Sequence, residues 1–401
     1  MPEYNPDVDF DIVIVGGGLA GASLAAVLAD SGRRVALVER KAPPAPLDLW
    51  DSRVYTLTPA SIAFLERIGA WQGVPRERVT PIHDMRIFGD DAGSRLEFSA
   101  YASGLRELGA TVESGRLHHA LWQVLERQRN LSLLCPRAPS TLRRFERHVE
   151  IGLDGDAPAT AKLAVGADGG DSWVRHAAGI DARTESYRQL GVVANFACTR
   201  AHRGVAYQWF LPDGVLAFLP LPQQRVSIVW STSDERAREL LRLPPEQLRA
   251  RVGEASRGAL GELRQITPPA AFPLSRTSVR RIARDRVALV GDSAHVVHPL
   301  AGQGINLGLG DAHCLADVLA GAADPGDRMV LRRFERSRAE DILALQWVTH
   351  WLFGLFRANH AAIRRIRNLG LNLTDANPVI KTLLARRASA VGGGLRQREI
   401  P

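Results

Sequence analysis

The chain has 401 residues, 45% hydrophobic and 23% charged, which excludes a disordered or fibrous protein and is enough for two packed domains or one large domain carrying an insert. Its formal net charge of +8 is uneven: from Arg357 to Pro401 nine Arg or Lys stand against Asp375 and Glu399, while the rest is nearly neutral. Such a basic end suits an anionic partner, and with no nucleic-acid motif in the chain, nucleic acid is not expected.

Cys135, Cys198 and Cys314 are scattered without a CxxC pair. They read as small buried apolar residues and point to a cytoplasmic chain. No basic segment precedes an apolar stretch at the start, so a signal peptide is not expected. The uncharged run Ile12 to Ala29 is as long as a membrane span, but its glycine cluster predicts a strand, a turn and a helix instead.

In chain order, "FDIVIV" reads as a buried parallel strand, "GASLAAVLADSG" as a helix ending at Gly32, and "RRVALVER" as a second strand, a βαβ opening. Gly16, Gly18 and Gly21 supply G-x-G-x-x-G at the turn. Gly16 permits the bend, Gly18 admits a pyrophosphate to the backbone, and Gly21 allows close helix–strand packing. Glu39 closes the second strand, where a carboxylate meets adenosine ribose hydroxyls.

After the proline-rich "KAPPAP", "TPASIAFLERIGA" predicts a helix with Thr58 as N-cap, and residues 116–129 predict another. "AKLAVGADGGDSWVRHAAG" predicts a strand ending at Asp168 and a helix carrying Ser172 and Arg175. Asp168 reads equally well as a ligand-facing acid or a helix cap. "VAYQWFLPDGVLAFLPLPQQRVSIVWSTS" predicts three antiparallel strands joined by tight turns. "DRVALVGDSAHVVHP" predicts a strand ending at Gly291-Asp292, with Asp292 either facing a ligand or forming a turn. From Pro325 the pattern is helical, and Leu343, Trp347, Trp351 and Leu355 recur every four residues. That spacing fits a helix packed on the core or an apolar face at a membrane surface. The last residues, 391–401, read as a disordered tail.

"GDSAHVVHPLAGQGINLGLGDA", Gly291 to Ala312, concentrates glycines beyond the needs of a turn. One reading is a metal site, with His295 and His298 three apart and Asp292 and His313 near, although Pro299 weakens it. His295 also reads as a hydrogen-bonded turn histidine without a catalytic role.

"IVGGGLAG", "SRVYTLTPASIAFLERIGAW", "VGADGGDSWVR", "AFLPL" and "VALVGDSAHVVHPLAGQGINLGLGDA" together resemble the flavin-dependent aromatic hydroxylases of the para-hydroxybenzoate hydroxylase fold, in the ubiquinone-biosynthesis branch. The resemblance spans nearly the whole chain. It implies an α/β fold: a Rossmann-like FAD-binding domain interrupted by an antiparallel β-sheet substrate domain, with C-terminal helices. The expected boundaries are 1–80, 105–182 and 275–335 for the FAD-binding part and 81–104 with 183–274 for the β-rich part. A helical region, 336–390, follows, then the tail.

By that resemblance Glu39 holds the adenosine ribose, Arg53 and Asp168 lie near the pyrophosphate, and Asp292 binds the ribityl chain. His298 and Pro299 set the turn beside the flavin ring, and Gly302, Gln303, Gly304, Ile305 and Asn306 offer backbone N–H groups to its pyrimidine edge. Where the family usually shows Val-Glu-Asn this chain has Ser114, too short for the same reach. Tyr207, Trp209, Phe218, Leu219, Pro220 and Trp230 are the expected substrate-side residues.

The implied reaction is hydroxylation of a polyprenylated phenol by O2 through a C4a-hydroperoxyflavin, with FAD as cofactor and NAD(P)H or a protein as electron donor. Implied partners are a lipophilic aromatic substrate, the inner membrane face through 343–367, and a ubiquinone-biosynthesis complex. Alternatives are hydroxylation of a soluble aromatic or polyketide, prenyl-group reduction without O2, and a non-catalytic flavin-binding subunit.

Overall fold

The computed structural model describes residues 8–46, 48–91, 93–297, 303–357 and 361–393, with side-chain environments outside 345–367. Its first sheet has a parallel centre, in the order Val287–Leu289, Asp156–Gly166, Phe10–Val15, Val35–Val38 and Leu131–Leu134. These strands are apolar on both faces because helices cover them: Ile12, Val13, Ile14 and all of Val35–Val38 are buried. Leu19–Val27 follows the first strand and packs against helices Gly304–Leu319 and Ser114–Leu125. The βαβ opening thus forms where the sequence predicts it, although the first helix ends at Val27, short of Gly32.

The second sheet has nine strands. Its middle is the expected meander, Val205–Leu211, Gly214–Leu221 and Arg225–Ser233, flanked by the long Ala182–Cys198 and by Ala270–Val279. Asp84–Phe88 and Arg95–Ser99 extend it at one end. The sheet is not wholly antiparallel, because Asp84–Phe88 reaches Val205–Leu211 by a long crossover and pairs with it in parallel. One face carries a separate apolar core of Trp209, Phe218, Trp230 and Leu240 against helices Asp234–Arg242 and Pro245–Ala255.

Thr58 caps helix Pro59–Arg67 as expected, its hydroxyl accepting from Ser61 N at 3.2 Å. Helices Arg328–Arg357, Ala361–Asp375 and Pro378–Ser389 complete the described chain. Residues 391–393, read from the sequence as the start of the tail, are packed against the protein. Thr58 Oγ1 donates to the Val391 carbonyl at 2.5 Å, and Gly392 and Gly393 are buried. A side chain at Gly392 would collide with Ser61 Oγ, so this close approach holds the segment down. Residues 394–401 lie outside the described residues.

Candidate functional site

The glycine turn has the geometry its spacing predicts. Gly16 has φ +104°, and a Cβ there would overlap the Ala167 carbonyl at the end of the neighbouring strand. A Cβ on Gly21 would overlap the Gly16 carbonyl, so only glycine lets the helix sit this close. Gly18, by contrast, faces open space at the helix N-terminus, where backbone N–H groups receive an anion.

Glu39 turns back toward this loop and accepts from Gly17 N at 2.6 Å and Lys41 N at 3.1 Å. The Gly17 carbonyl accepts from Trp122 Nε1 at 2.9 Å and lies 2.7 Å from His118 Nε2. Burial pushes the His118 ring below its ordinary 6.5, against the opposing pull of the Gly17 carbonyl and Glu39.

Asp168 lies beside the glycine turn expected to take the pyrophosphate. Its backbone adjoins Gly16, but its carboxylate accepts from Ser172 Oγ at 2.5 Å and Val174 N at 3.0 Å, capping helix Trp173–Ala177. Those donors lie within hydrogen-bond reach on its own chain, and Ser172 itself is the N-cap, accepting from Arg175 N at 3.0 Å. The nearly buried Arg175 donates to Gly170 O at 2.8 Å and Ser293 O at 3.0 Å. This segment therefore locks one loop of the site to another.

Asp292 and Arg53 share a cavity of about 750 Å³ bounded by one face of the second sheet, the Ser52–Thr56 segment and the start of helix Gly304–Leu319. Asp292 is accessible from the cavity and crowded by protein elsewhere. That desolvation pushes its carboxyl above the usual 3.8, although His295 and Arg53 pull the other way. Arg53 lies over the Tyr55 ring, 5.4 Å from its centre. Its loop is fixed by Glu113, a fully buried carboxylate that accepts from Asp51 N at 2.7 Å and pairs with Arg78 and Arg116. Ser114, the family departure, uses its amide on the Arg53 carbonyl at 2.9 Å.

Gln303, Gly304 and Ile305 line the same cavity, and the Gln303 side-chain oxygen is buried without a partner among the described residues. Gly304 opens a sixteen-residue helix whose N-terminus is thereby at the cavity wall. The Asn306 side chain has a separate task from its backbone N–H: it donates to Thr56 O and accepts from Thr58 N, both at 2.9 Å, fastening this helix to its neighbour. His298, Pro299 and Gly302 lie outside the described residues.

Of the expected substrate residues Leu219 faces the cavity, and Tyr207 borders it while its ring stacks on Trp209 in the core of the opposite face. Trp209, Phe218 and Trp230 belong to the core under the opposite face, and Pro220 lies on that side of its strand. Alternation along each strand explains the correction. The cavity face carries Ala206 with Gln208, Val215 with Ala217, and Val229 with Ser231, mostly small residues that leave room. The same alternation in the sequence was the available signal; aromatic size was the wrong guide.

Behind the Asp292 turn lies a buried ionic chain the sequence analysis did not identify. Asp311 Oδ2 lies 2.6 Å from His295 Nε2 and accepts from Gly291 N at 2.9 Å. Asp311 Oδ1 accepts from Arg338 Nε at 2.7 Å, and Arg338 also pairs with Asp341 at 2.7 Å. His295 thus has its hydrogen-bonding role, while His313 stacks on Phe64 at 4.7 Å. Among the described residues no group of three or more His, Cys, Asp or Glu is placed to hold a metal.

The family model described as "FAD binding domain" matches residues 9–345. The chain is 36% identical to "Ubiquinone hydroxylase UbiL" of Rhodospirillum rubrum over 385 residues, covering 94% of this chain and 89% of that protein. It is likewise 36% identical to "3-demethoxyubiquinol 3-hydroxylase" of Escherichia coli, covering 92% and 96%. Among solved structures, "pqsL, a probable FAD-dependent monooxygenase from Pseudomonas aeruginosa" is similar with a TM-score of 0.76 and 26% identity, covering 91% of this chain and 100% of that one.

Proposed function

The chain belongs to the FAD-binding domain family, among its ubiquinone hydroxylases, and from that membership we propose that it is an FAD-dependent monooxygenase hydroxylating the ring of a polyprenylated phenol in ubiquinone biosynthesis. The observation that carries the reading is the single cavity joining Asp292 and Gln303 to an apolar wall of small side chains. A pocket of this composition suits a bulky, greasy ligand oriented by few polar groups.

The residues present fit the cofactor. Gly18 leaves the turn open to a pyrophosphate, Glu39 follows the second strand, and Gln303 carries a buried oxygen unpartnered among the described residues. Glu39 would hold the adenosine ribose, the Gly16–Gly18 turn the pyrophosphate, and Asp292 the ribityl chain, with Arg53 alongside. Bound FAD supplies reduction by an external donor, activation of O2 and oxygen transfer to the ring.

The protein binds, orients and excludes water. Gln208 and Ser231, both nearly buried on the cavity face, are the polar groups proposed to align the phenol head. Val215, Ala217 and Val229 keep its surroundings apolar, which limits water around the reacting groups. A lipophilic substrate would be met at a membrane surface; among the described residues, no helix is long and apolar enough to cross a membrane.

The test is aerobic turnover of a polyprenyl phenol by the reduced, flavin-loaded protein, with the hydroxylated product identified by mass; oxygen uptake without that product would overturn the reading. Ala217→Phe should fill the cavity and cut turnover roughly tenfold or more while leaving flavin content unchanged, since a misfitting ring in a packed site costs about 1–3 kcal/mol. Unimpaired turnover would move the substrate away from this wall. Asp292→Ala removes a charged hydrogen-bond acceptor and should weaken FAD retention about 10- to 100-fold, read from flavin released on gel filtration. Undiminished retention would reject the ribityl role.

A further inference from the structure

Helix Pro378–Ser389 supplies Leu384, Ala385 and Ala388 to the wall of the cavity that Gln303, Gly304 and Ile305 also line. Core packing does not hold it there. Ala385 is its one buried residue, and Val379, Ile380, Leu383 and Leu384 are all exposed. A helix takes its place in a protein mainly by burying an apolar face, so this one is held by other means. Among the described residues, Lys381 pairs with Asp375, Arg387 with the exposed Glu340, and Arg386 Nε donates to Ser103 O at 3.2 Å. Ion pairs as exposed as Arg387 with Glu340 contribute little. The side chains of 345–367, where a membrane-facing stretch is expected from sequence, lie outside the described residues, although Leu343 is exposed.

The hold comes directly after the helix. Val391 N donates to Ala388 O at 3.4 Å and Gly393 N to Ala390 O at 3.1 Å, so the chain leaves the helix without slack. It then runs against the helix that opens at Gly304. Thr58 Oγ1 donates to Val391 O at 2.5 Å, while the Thr58 amide donates to Asn306 Oδ1 at 2.9 Å. One residue thus ties the end of one cavity-wall helix to the start of the other. The buried Gly392 has φ +98°, and a Cβ there would overlap Ser61 Oγ and come within 3.2 Å of the Asn306 carbonyl. Gly310 is bare on the facing side, since a Cβ on it would stand 3.1 Å from Gly392 Cα. Glycine on both sides of the contact lets the segment lie directly on the helix.

We propose that Val391–Gly393 is a clasp that sets the substrate wall, fixing Leu384, Ala385 and Ala388 relative to Gln303, Gly304 and Ile305, with Gly392 and Thr58 as its positioning residues. The consequence for catalysis rests on the hydroxylase reading. With the wall in place, water is kept from the reacting groups. One atom of O2 is then inserted into a ring C–H bond and the other leaves as water, with two electrons from the reduced flavin and two protons. With the wall displaced, the same two electrons and two protons leave on O2 as hydrogen peroxide, and the ring is unchanged.

The experiment compares the full-length, flavin-loaded protein with Gly392→Val, Thr58→Val and Thr58→Ser. Amide hydrogen exchange is followed by mass spectrometry. A single turnover on a polyprenyl phenol in detergent follows anaerobic reduction by one equivalent of dithionite and admission of O2. In Gly392→Val and Thr58→Val, residues 378–393 should exchange roughly tenfold faster, with helix Leu19–Val27 and flavin content unchanged. The ratio of hydroxylated product to hydrogen peroxide should fall about threefold or more in both. Thr58→Ser keeps the hydroxyl and should match the wild type. Thr58→Val also loses the cap of helix Pro59–Arg67, which Gly392→Val retains, so the effect common to both belongs to the clasp. Unchanged exchange in both variants would overturn the clasp, and faster exchange with an unchanged product ratio would overturn its hold on the substrate wall. Faster exchange in the variants of a wild type that makes no hydroxylated product would sustain the clasp and overturn the hydroxylase reading instead.

Discussion

Asp311→Ala is expected to destabilise the protein by roughly 3–5 kcal/mol, because it strands a charge in the interior. Arg338 is 0% exposed, and its guanidinium is held between Asp311 and Asp341. Removing Asp311 also leaves Gly291 N without its acceptor and the His295 ring without its partner. Urea unfolding should show the lower midpoint, and an unchanged midpoint would mean that Asp341 alone suffices for the buried cation. Exchanging both charged partners, Asp311→Leu with Arg338→Met, should recover part of the loss. Recovery stays incomplete because the Gly291 amide remains unpaired.

Acid dependence provides a second reading of the same group. Burial alone would raise the Asp311 carboxyl, but His295 and Arg338 outweigh it and hold the carboxyl below 3.8. A carboxylate with a depressed folded value stabilises above its unfolded value and loses that contribution as pH falls through the folded one. The wild-type advantage over Asp311→Ala should therefore be complete at neutral pH. It should begin to shrink only near about pH 4 and continue falling in stronger acid.

Gly21→Val is expected to yield protein that retains less than roughly a tenth of the wild-type flavin, because overpacking at this contact distorts the phosphate-binding turn itself. Any Cβ at position 21 overlaps the Gly16 carbonyl and comes within 2.9 Å of the Ala167 side chain. Valine's methyl groups must push helix Leu19–Val27 off the strand ends, taking the Gly18 amide with it. Far-ultraviolet circular dichroism should remain near wild type if the fold survives this local shift. A fully flavinated Gly21→Val protein would show that the turn does not depend on the contact.

The cofactor end of the site was legible because its chemistry is local. Gly16, Gly18, Gly21 and Glu39 lie within one βαβ unit, and each position answers to a backbone requirement visible in a short window. Thr58 was legible for the same reason. The substrate end was not, because a strand has two faces and the aromatic residues occupy the one packed by helices Asp234–Arg242 and Pro245–Ala255. Choosing the alternate positions, Ala206, Ala217 and Val229, required knowing which face was already filled. Asp168 presented two local fates, and Ser172 at four residues' distance engages its carboxylate. The Asp311–Arg338 pair had no local signature: its partners come from two helices and meet only after these pack.

The way helix Ala361–Asp375 is fastened has a consequence for the integrity of the whole second sheet. Arg95–Ser99 is its terminal strand, and the amides of Arg95 and Glu97 are taken by Asn372 and Asp375. A chain clipped ahead of this helix would expose those donors along an unpaired strand, and a bare strand edge is a template for the next bare edge it meets. Helix Ala361–Asp375 is in that sense a safeguard against aggregation, so proteolytic loss of it threatens solubility.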